Sequence, residues 1–293
     1  MPKGDEKLWA ILNDKLETLR AANSLEEAIR VGESVLELAK RTFSGTRIEL
    51  ALSYEKVGLL YDQKGDRDTA KPYLVNAYKL FDAVQPSDRH ALFRSARRLA
   101  RICDELNEKE DAILFYEKSI AVANQLSDLP YTELGTLLNN AALSFRKAGR
   151  GQAAEPYYLH ALKIYENHLG LEHADVASVL NNIGVFYTNE KRFSEAEKAH
   201  LRALAIREKT LPPTHADIAQ SKCNLAVVYH SRGDYQRASE LYRASLKTWE
   251  EAMAKPPKEY EVVASNYADL LRSLGEARKA QALEQRARKK RRG

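Results

Sequence analysis

Only two of the 293 residues are cysteine, Cys103 and Cys223, too few for a disulfide framework and without a second Cys at zinc-ligand spacing. A reducing, cytoplasmic setting is therefore expected. Glycine (13) and proline (9) are scarce as well, which excludes collagen-like and low-complexity chains and leaves an ordered, helix-rich protein. Nowhere do eighteen apolar residues run together, and the opening MPKGDEKLWAILNDKLETLR scatters acids and bases through its apolar positions. Neither a signal peptide nor a membrane-spanning helix is predicted, so any membrane contact is peripheral. Catalytic strings are missing too: there is no phosphate loop, Gly-x-Ser-x-Gly elbow, His-Glu-x-x-His or glycine-rich dinucleotide turn. Gly149-Arg150-Gly151 reads as a turn, and His168 with His173 lacks both a helical metal spacing and a third ligand. No catalytic residue, metal or cofactor is expected, and the chain reads as a non-enzyme.

What is present begins with charge. The formal balance is +5, but six of the 46 bases stand in the last eight residues, RARKKRRG, and the remaining 40 are matched by 41 acids. The high isoelectric point belongs to that stretch, and a uniformly basic nucleic-acid-binding body is not described.

One segment aligns on the next at a spacing of 42 residues. His173-Ala174-Asp175 recurs as His215-Ala216-Asp217; Asn140, Asn182, Asn224 and Asn266 are 42 apart, as are Ala112, Ala154, Ala196, Ala238 and Ala280, with Ala28 and Ala70 continuing the register. Seven such units fill the chain, near 6–42, 47–84, 89–126, 131–168, 173–210, 215–252 and 257–285. Within a unit, apolar residues fall at three- and four-residue steps twice over, as in Val176, Leu180, Ile183 and Tyr187, then Ala196, Ala199, Ala203 and Leu204. Each unit is thus predicted to be a helix hairpin. Gly65, Asn107, Gly149 and Gly233 mark the bends, and Ser24 with Glu27, or Ser194 with Glu197, has capping-box spacing for the second helix. Leu211-Pro212-Pro213-Thr214 joins one hairpin to the next. The recurring alanines let the second helix lie close on the first. Cys103, in the register of Phe145 and Tyr187, reads as core, and the recurring His173 and His215 as structural residues at a helix start.

The strings LNNIGVFYTNEKRFSEAEKAHLRALAIREKTL and CNLAVVYHSRGDYQRASELYRASL, with the His-x-Asp-x-Ala lead and the Asn-Asn pair, resemble the 42-residue tetratricopeptide repeats of kinesin light chains. Repeats four to six carry the resemblance strongly, the others weakly. It is greatest to the bacterial kinesin light chains, stand-alone repeat proteins of bacteria that have tubulin-like proteins. The resemblance implies an all-α, right-handed solenoid of about seven hairpins, occupying 1–285 as one array and followed by a basic tail, 286–293. No heptad segment precedes repeat one, so a kinesin motor chain is not the expected partner, and a monomer is the simpler expectation.

In such arrays the first helices line a concave groove where partners bind. The resemblance maps the family's groove-facing asparagine onto Asn140, Asn182, Asn224 and Asn266, with Asn139 and Asn181 beside them. A row of amides can both donate to and accept from an extended backbone. The same side chains could instead bond neighbouring helices. Repeat three differs: Arg94, Arg97, Arg98 and Arg101 share one helical face opposite Leu92, Ala96, Leu99 and Cys103. With Lys56, Arg146, Lys147 and Arg272 they suit an acidic peptide, since guanidinium forks pair with carboxylates. The alternative is a solvated face partly neutralised by Glu55 or Asp104. Arg286, Arg288, Lys289, Lys290, Arg291 and Arg292 could adhere to an anionic surface such as a membrane, or simply solubilise the end.

The expected function is a cytoplasmic adaptor binding an acidic, extended partner segment, the resemblance suggesting a tubulin-like filament, with membrane as a second partner. A regulatory receptor for a signalling peptide is the alternative; nucleic acid is not the expected ligand.

Overall fold

A computed structural model describes residues 2–43, 48–84, 88–253 and 256–292. Among them every regular element is a helix, fourteen in all: α1 (Pro2–Ala21), α2 (Leu25–Thr42), α3 (Ile48–Lys64), α4 (Arg67–Ala83), α5 (Arg89–Glu105), α6 (Lys109–Ala123), α7 (Tyr131–Lys147), α8 (Gly151–Leu169), α9 (Ala174–Asn189), α10 (Phe193–Thr210), α11 (Ala216–Ser231), α12 (Tyr235–Ala252), α13 (Lys258–Ser273) and α14 (Ala277–Arg292). Seven hairpins account for all fourteen.

One backbone device makes every bend. Asn23, Gly65, Asn107, Gly149, Lys191, Gly233 and Gly275 all have positive φ, between 57° and 88°, and each stands 42 residues after the last. In six of them the following N–H reaches back five residues to a carbonyl, as Asp66 N–H does to Tyr61 at 2.9 Å and Arg192 N–H to Tyr187 at 2.8 Å. This is the left-handed C-terminal stop that satisfies otherwise orphaned carbonyls. The expected bends at Gly65, Asn107, Gly149 and Gly233 are four members of this set.

Helix starts are less uniform. Asp66, Asp88 and Asp234 cap α4, α5 and α12 by accepting from the N–H three residues on, at 3.1, 3.0 and 3.2 Å. His173 and His215 cap α9 and α11, each Nδ1 accepting from the N–H two residues on at 3.2 and 3.1 Å. The expected capping boxes do not form. Ser24 is at the N-cap of α2 but makes no side-chain cap bond. Ser194 lies inside α10, whose N-cap is Arg192, and Glu197 instead accepts from Tyr229 at 2.7 Å.

The alanines at 28, 70, 112, 154, 196, 238 and 280 are fully buried, which is the close helix approach that their size permits. Gly184 serves the same end more sharply: a Cβ there would come within 2.5 Å of the His200 imidazole. Cys103 and Cys223 are both buried free thiols.

The chain packs as two compact units, Met1–Gly149 with α1 to α7 and Arg150–Gly293 with α8 to α14. In the first, Leu74, Phe81, Phe93, Leu99 and Ile102 anchor a core shared by α3 to α7. In the second, Ile218, Leu225, Tyr242, Trp249, Tyr260 and Leu270 do the same for α10 to α14.

Candidate functional site

In the first unit the apolar stripe Leu92, Ala96, Leu99 and Cys103 is buried, and that leaves the arginines of α5 on its outer face. Three of the four are already engaged. Arg98 pairs with Glu55 of α3, a carboxylate only 9% exposed. Arg101 pairs with Asp62 of α3 and, at 2.8 Å, with Glu105 of its own helix. Arg97 reaches Glu133 of α7 at 2.8 Å, its guanidinium 5.4 Å from the centre of the Phe93 ring. Arg94 is exposed and makes no ion pair among the described residues. Neutralisation by Glu55 is therefore realised. Asp104 has other partners, accepting from the Tyr116 hydroxyl at 3.2 Å and pairing with Lys147 at 3.6 Å.

These pairs and the burial around them shift proton affinities in different directions. Burial works to raise the Glu105 carboxyl, but bonds from Arg101 and Arg67 outweigh it and hold the group below its usual range. Burial, with the like charges of Arg94 and Arg97, lowers Arg98 against the opposing pull of Glu55.

Between α5, α6 and α7 lies a recess of about 250 Å³ lined by Arg97, Arg98, Arg101, Tyr116, Thr136, Leu137 and Asn140. A guanidinium has five N–H donors, and the ion pairs of Arg97 and Arg98 each occupy a single Nη1. The recess thus joins unspent guanidinium edges, a phenol and two other polar side chains, one of them Asn140, whose Oδ1 is 3.5 Å from the Asn139 amide nitrogen. Such a lining can hold carboxylates and backbone carbonyls.

In the second unit the asparagines bond across helices. Asn224 donates to Asn181 Oδ1 at 2.8 Å and accepts from Gln220 at 2.8 Å, while the Asn266 amide lies 4.0 Å from Cys223 Sγ. The helix-bonding alternative holds for these three, each amide keeping at least one donor and one acceptor direction. Asn182 is half-buried on α9.

The basic run is not a separate tail. Residues 286–292 are the last turns of α14, with Ala287 buried. Arg286 and Lys290 both hold Glu250 of α12 at 2.9 Å, and Arg291 holds Glu261 of α13 at 3.0 Å. Arg288 and Lys289 remain as exposed bases, and the Arg292 side chain and Gly293 lie outside the described residues. A row of lysines and arginines looked solvated because its acceptors are some thirty or more residues away in sequence.

One group of potential metal ligands, Cys103, Glu108 and Asp111, converges among the described residues. Lys71 occupies it, its Nζ 2.5 Å from Glu108 and 2.7 Å from Asp111. The register explains the lysine. Two repeats on, Tyr187 donates to Glu155 at 2.8 Å; here Cys103 replaces the tyrosine and Lys71 the glutamate.

Sequence reasoning named Glu55 as a partner of the arginines but missed Asp62 and Glu133. A signal existed: Glu55 and Arg98 are 43 residues apart, as are Asn181 and Asn224, one more than the repeat.

Tetratricopeptide repeat family models match residues 51–82, 95–130, 134–175 and 175–251, together more than half of the chain. The protein KINESIN LIGHT CHAIN-RELATED 3 of Arabidopsis thaliana is 25% identical over 152 residues, 52% of this chain but only 23% of that protein. The crystal structure of BtubC (BKLC) from P. vanneervenii is 27% identical with a TM-score of 0.61, covering 80% of this chain and 94% of that one. The apo form of RapI shares the fold at 17% identity and a TM-score of 0.63, over 97% of both chains.

Proposed function

Since the chain belongs to the tetratricopeptide repeat family, with repeats of the kinesin light chain type, we propose that it is a non-catalytic adaptor holding an acidic, extended segment of a partner protein on its first helices. The observation that carries this reading is the donor-rich recess beside α5, where Arg97, Arg98 and Arg101 stand next to Asn140. Partner carboxylates would take the unspent guanidinium edges, with Arg94 adding long-range attraction. The asparagine amides of α9, α11 and α13 would hold backbone in the second unit. The sequence resemblance to bacterial kinesin light chains directs the choice of partner to a tubulin-like filament. Arg288 and Lys289 are the bases proposed to touch a membrane as the second partner.

The test is co-sedimentation with bacterial tubulin-like filaments and, separately, with phosphatidylserine vesicles, each at two salt concentrations. Arg94→Glu with Arg97→Glu is expected to abolish filament binding and spare vesicle binding; Arg288→Glu with Lys289→Glu should do the reverse. Filament binding indifferent to the α5 variants would refute the recess as the site. Binding to neither, with compaction on adding a short peptide, would favour the signalling-peptide receptor.

A further inference from the structure

The first and last hairpins differ in the outward face that each presents. In each internal junction the outer face of a first helix packs on the hairpin before it, and the residues that do so recur every 42 positions. The register of Leu8 holds buried Leu92, Val176, Ile218 and Tyr260 with half-buried Leu50 and Leu134; that of Ile11 holds Leu137, Val179 and Val263 with Ser53, Ser95 and Ser221, all buried. Lys15 falls in the register of Val57, Leu99, Ile183 and Leu225, and Thr18 in that of Leu60, Ile102, Val228 and Leu270, again all buried. On α1 two of these four positions are thus polar, yet Leu8 stays 46% exposed and Ile11 63%.

The other end shows what a face made for water looks like. Where the preceding hairpin buries Ala219, Cys223, Tyr242 and Leu246, the last hairpin has Glu261, Ser265, Glu284 and Arg288. All four junction positions there have become polar or charged. The α1 face keeps an apolar centre instead, and its surroundings suit a copy of itself. Lys7 and Asp14 are seven residues, two turns, apart on one edge of that face, both exposed and neither in an ion pair among the described residues. In an antiparallel pair of α1 helices centred between Leu8 and Ile11, Leu8 meets Ile11 of the other copy. Lys7 then meets Asp14 on the same flank, twice by symmetry. Lys15 falls over the other copy's Gly4, where a Cβ position has nothing within 4 Å.

We infer that the outer face of α1, centred on Leu8 and Ile11, is the docking surface for a second copy of this chain, paired antiparallel across a two-fold axis. One helix against one helix lies at the small end of specific interfaces, so the dimer is concentration-dependent and reversible. It goes beyond the adaptor reading and does not depend on it: two adaptors joined at α1 make a bivalent one, whose avidity for a repeating filament exceeds that of either copy.

Sedimentation velocity of the full chain from about 5 to 500 µM, the range in which so small an interface associates, is the experiment. The wild-type chain is expected to shift from monomer to dimer across that range, and Ile11→Glu to remain monomeric with its helical circular dichroism unchanged. Lys7→Asp places acids opposite Asp14, and Asp14→Lys places bases opposite Lys7, so each alone is monomeric. Mixed, they are expected to form a one-to-one dimer, an outcome specific to this antiparallel pairing. A monomeric wild-type chain at the highest concentration, a dimer that survives Ile11→Glu, or failure of the two charge variants to associate when mixed would each overturn the inference.

Discussion

At position 191 a lysine with φ of 59° stands where its six counterparts are four glycines and two asparagines. A side chain with a Cβ is strained in that region by about 1 kcal/mol, whereas glycine is not. Lys191→Gly is therefore expected to stabilise the fold by about 1 kcal/mol in urea titration; no gain in the midpoint would show that the bend is not strained. The bend at Lys191 was not legible from residue type, only from the 42-residue register. His200 is a second informative residue. It is 1% exposed, both ring nitrogens lack partners, and it holds the place of Tyr116, Tyr158 and Tyr242. Burial, with the charge of Arg207, lowers it from 6.5 to about 4 against a small opposing pull from the Gly184 backbone. The folded chain thus keeps His200 neutral where the unfolded chain takes up a proton. Its contribution is intact above about pH 6.5 and declines as pH falls toward about 4, by up to about 3 kcal/mol. His200→Tyr should flatten this acid limb of stability against pH; an unchanged slope between pH 4.5 and 7, roughly the window of the shift, would exclude His200 as its source.

Helices pair by a rule that the repeat length alone does not reveal. Asn13 with Lys56, Glu55 with Arg98, Asn181 with Asn224, and Cys223 with Asn266 are each 43 residues apart. Successive first helices therefore sit one residue out of register with the sequence repeat. Spacing and small residues made the hairpins, the bends and the alanine contacts legible. The pairing of Arg97 with Glu133 and of Arg101 with Asp62 was not, because it depends on which side chain of a neighbouring helix comes opposite. The same blindness made residues 286–292 look like a free tail, when Glu250 and Glu261 hold them as helix. Glu55→Gln leaves Arg98 half-buried without its counter-charge and is expected to cost about 2 kcal/mol, more than the double variant Glu55→Gln with Arg98→Gln. Equal losses in both would mean that the pair contributes nothing to the α3–α5 contact.

For the whole molecule, charge placement outweighs charge count. The balance of +5 suggests general adhesion to anionic surfaces, yet Arg286, Lys290 and Arg291 of α14 are committed to carboxylates of α12 and α13. Removing residues 286–293 would strip Glu250 of two partners and uncover the site of Ala287. The truncated chain should melt several degrees lower, on the scale of about 1–2 kcal/mol lost from a large domain, by calorimetry. The exposed pair Arg288→Glu with Lys289→Glu should melt as the wild type does. If truncation left the melting temperature unchanged, the carboxylate contacts of α14 would be ornamental to stability and the run would behave as a tail after all.

Seven left-handed bends at an unvarying interval also have a consequence for how the chain can change length. Excising residues 193–234 joins Arg192 to Tyr235, splicing the bend at Lys191 onto α12, the counterpart of α10. Every side chain downstream keeps its phase, so a chain one hairpin shorter is expected to express and melt cooperatively, whereas excision of 40 or 44 residues, roughly half a helical turn out of phase, should not. Length in this protein is therefore quantised, and gain or loss of reach comes in whole hairpins.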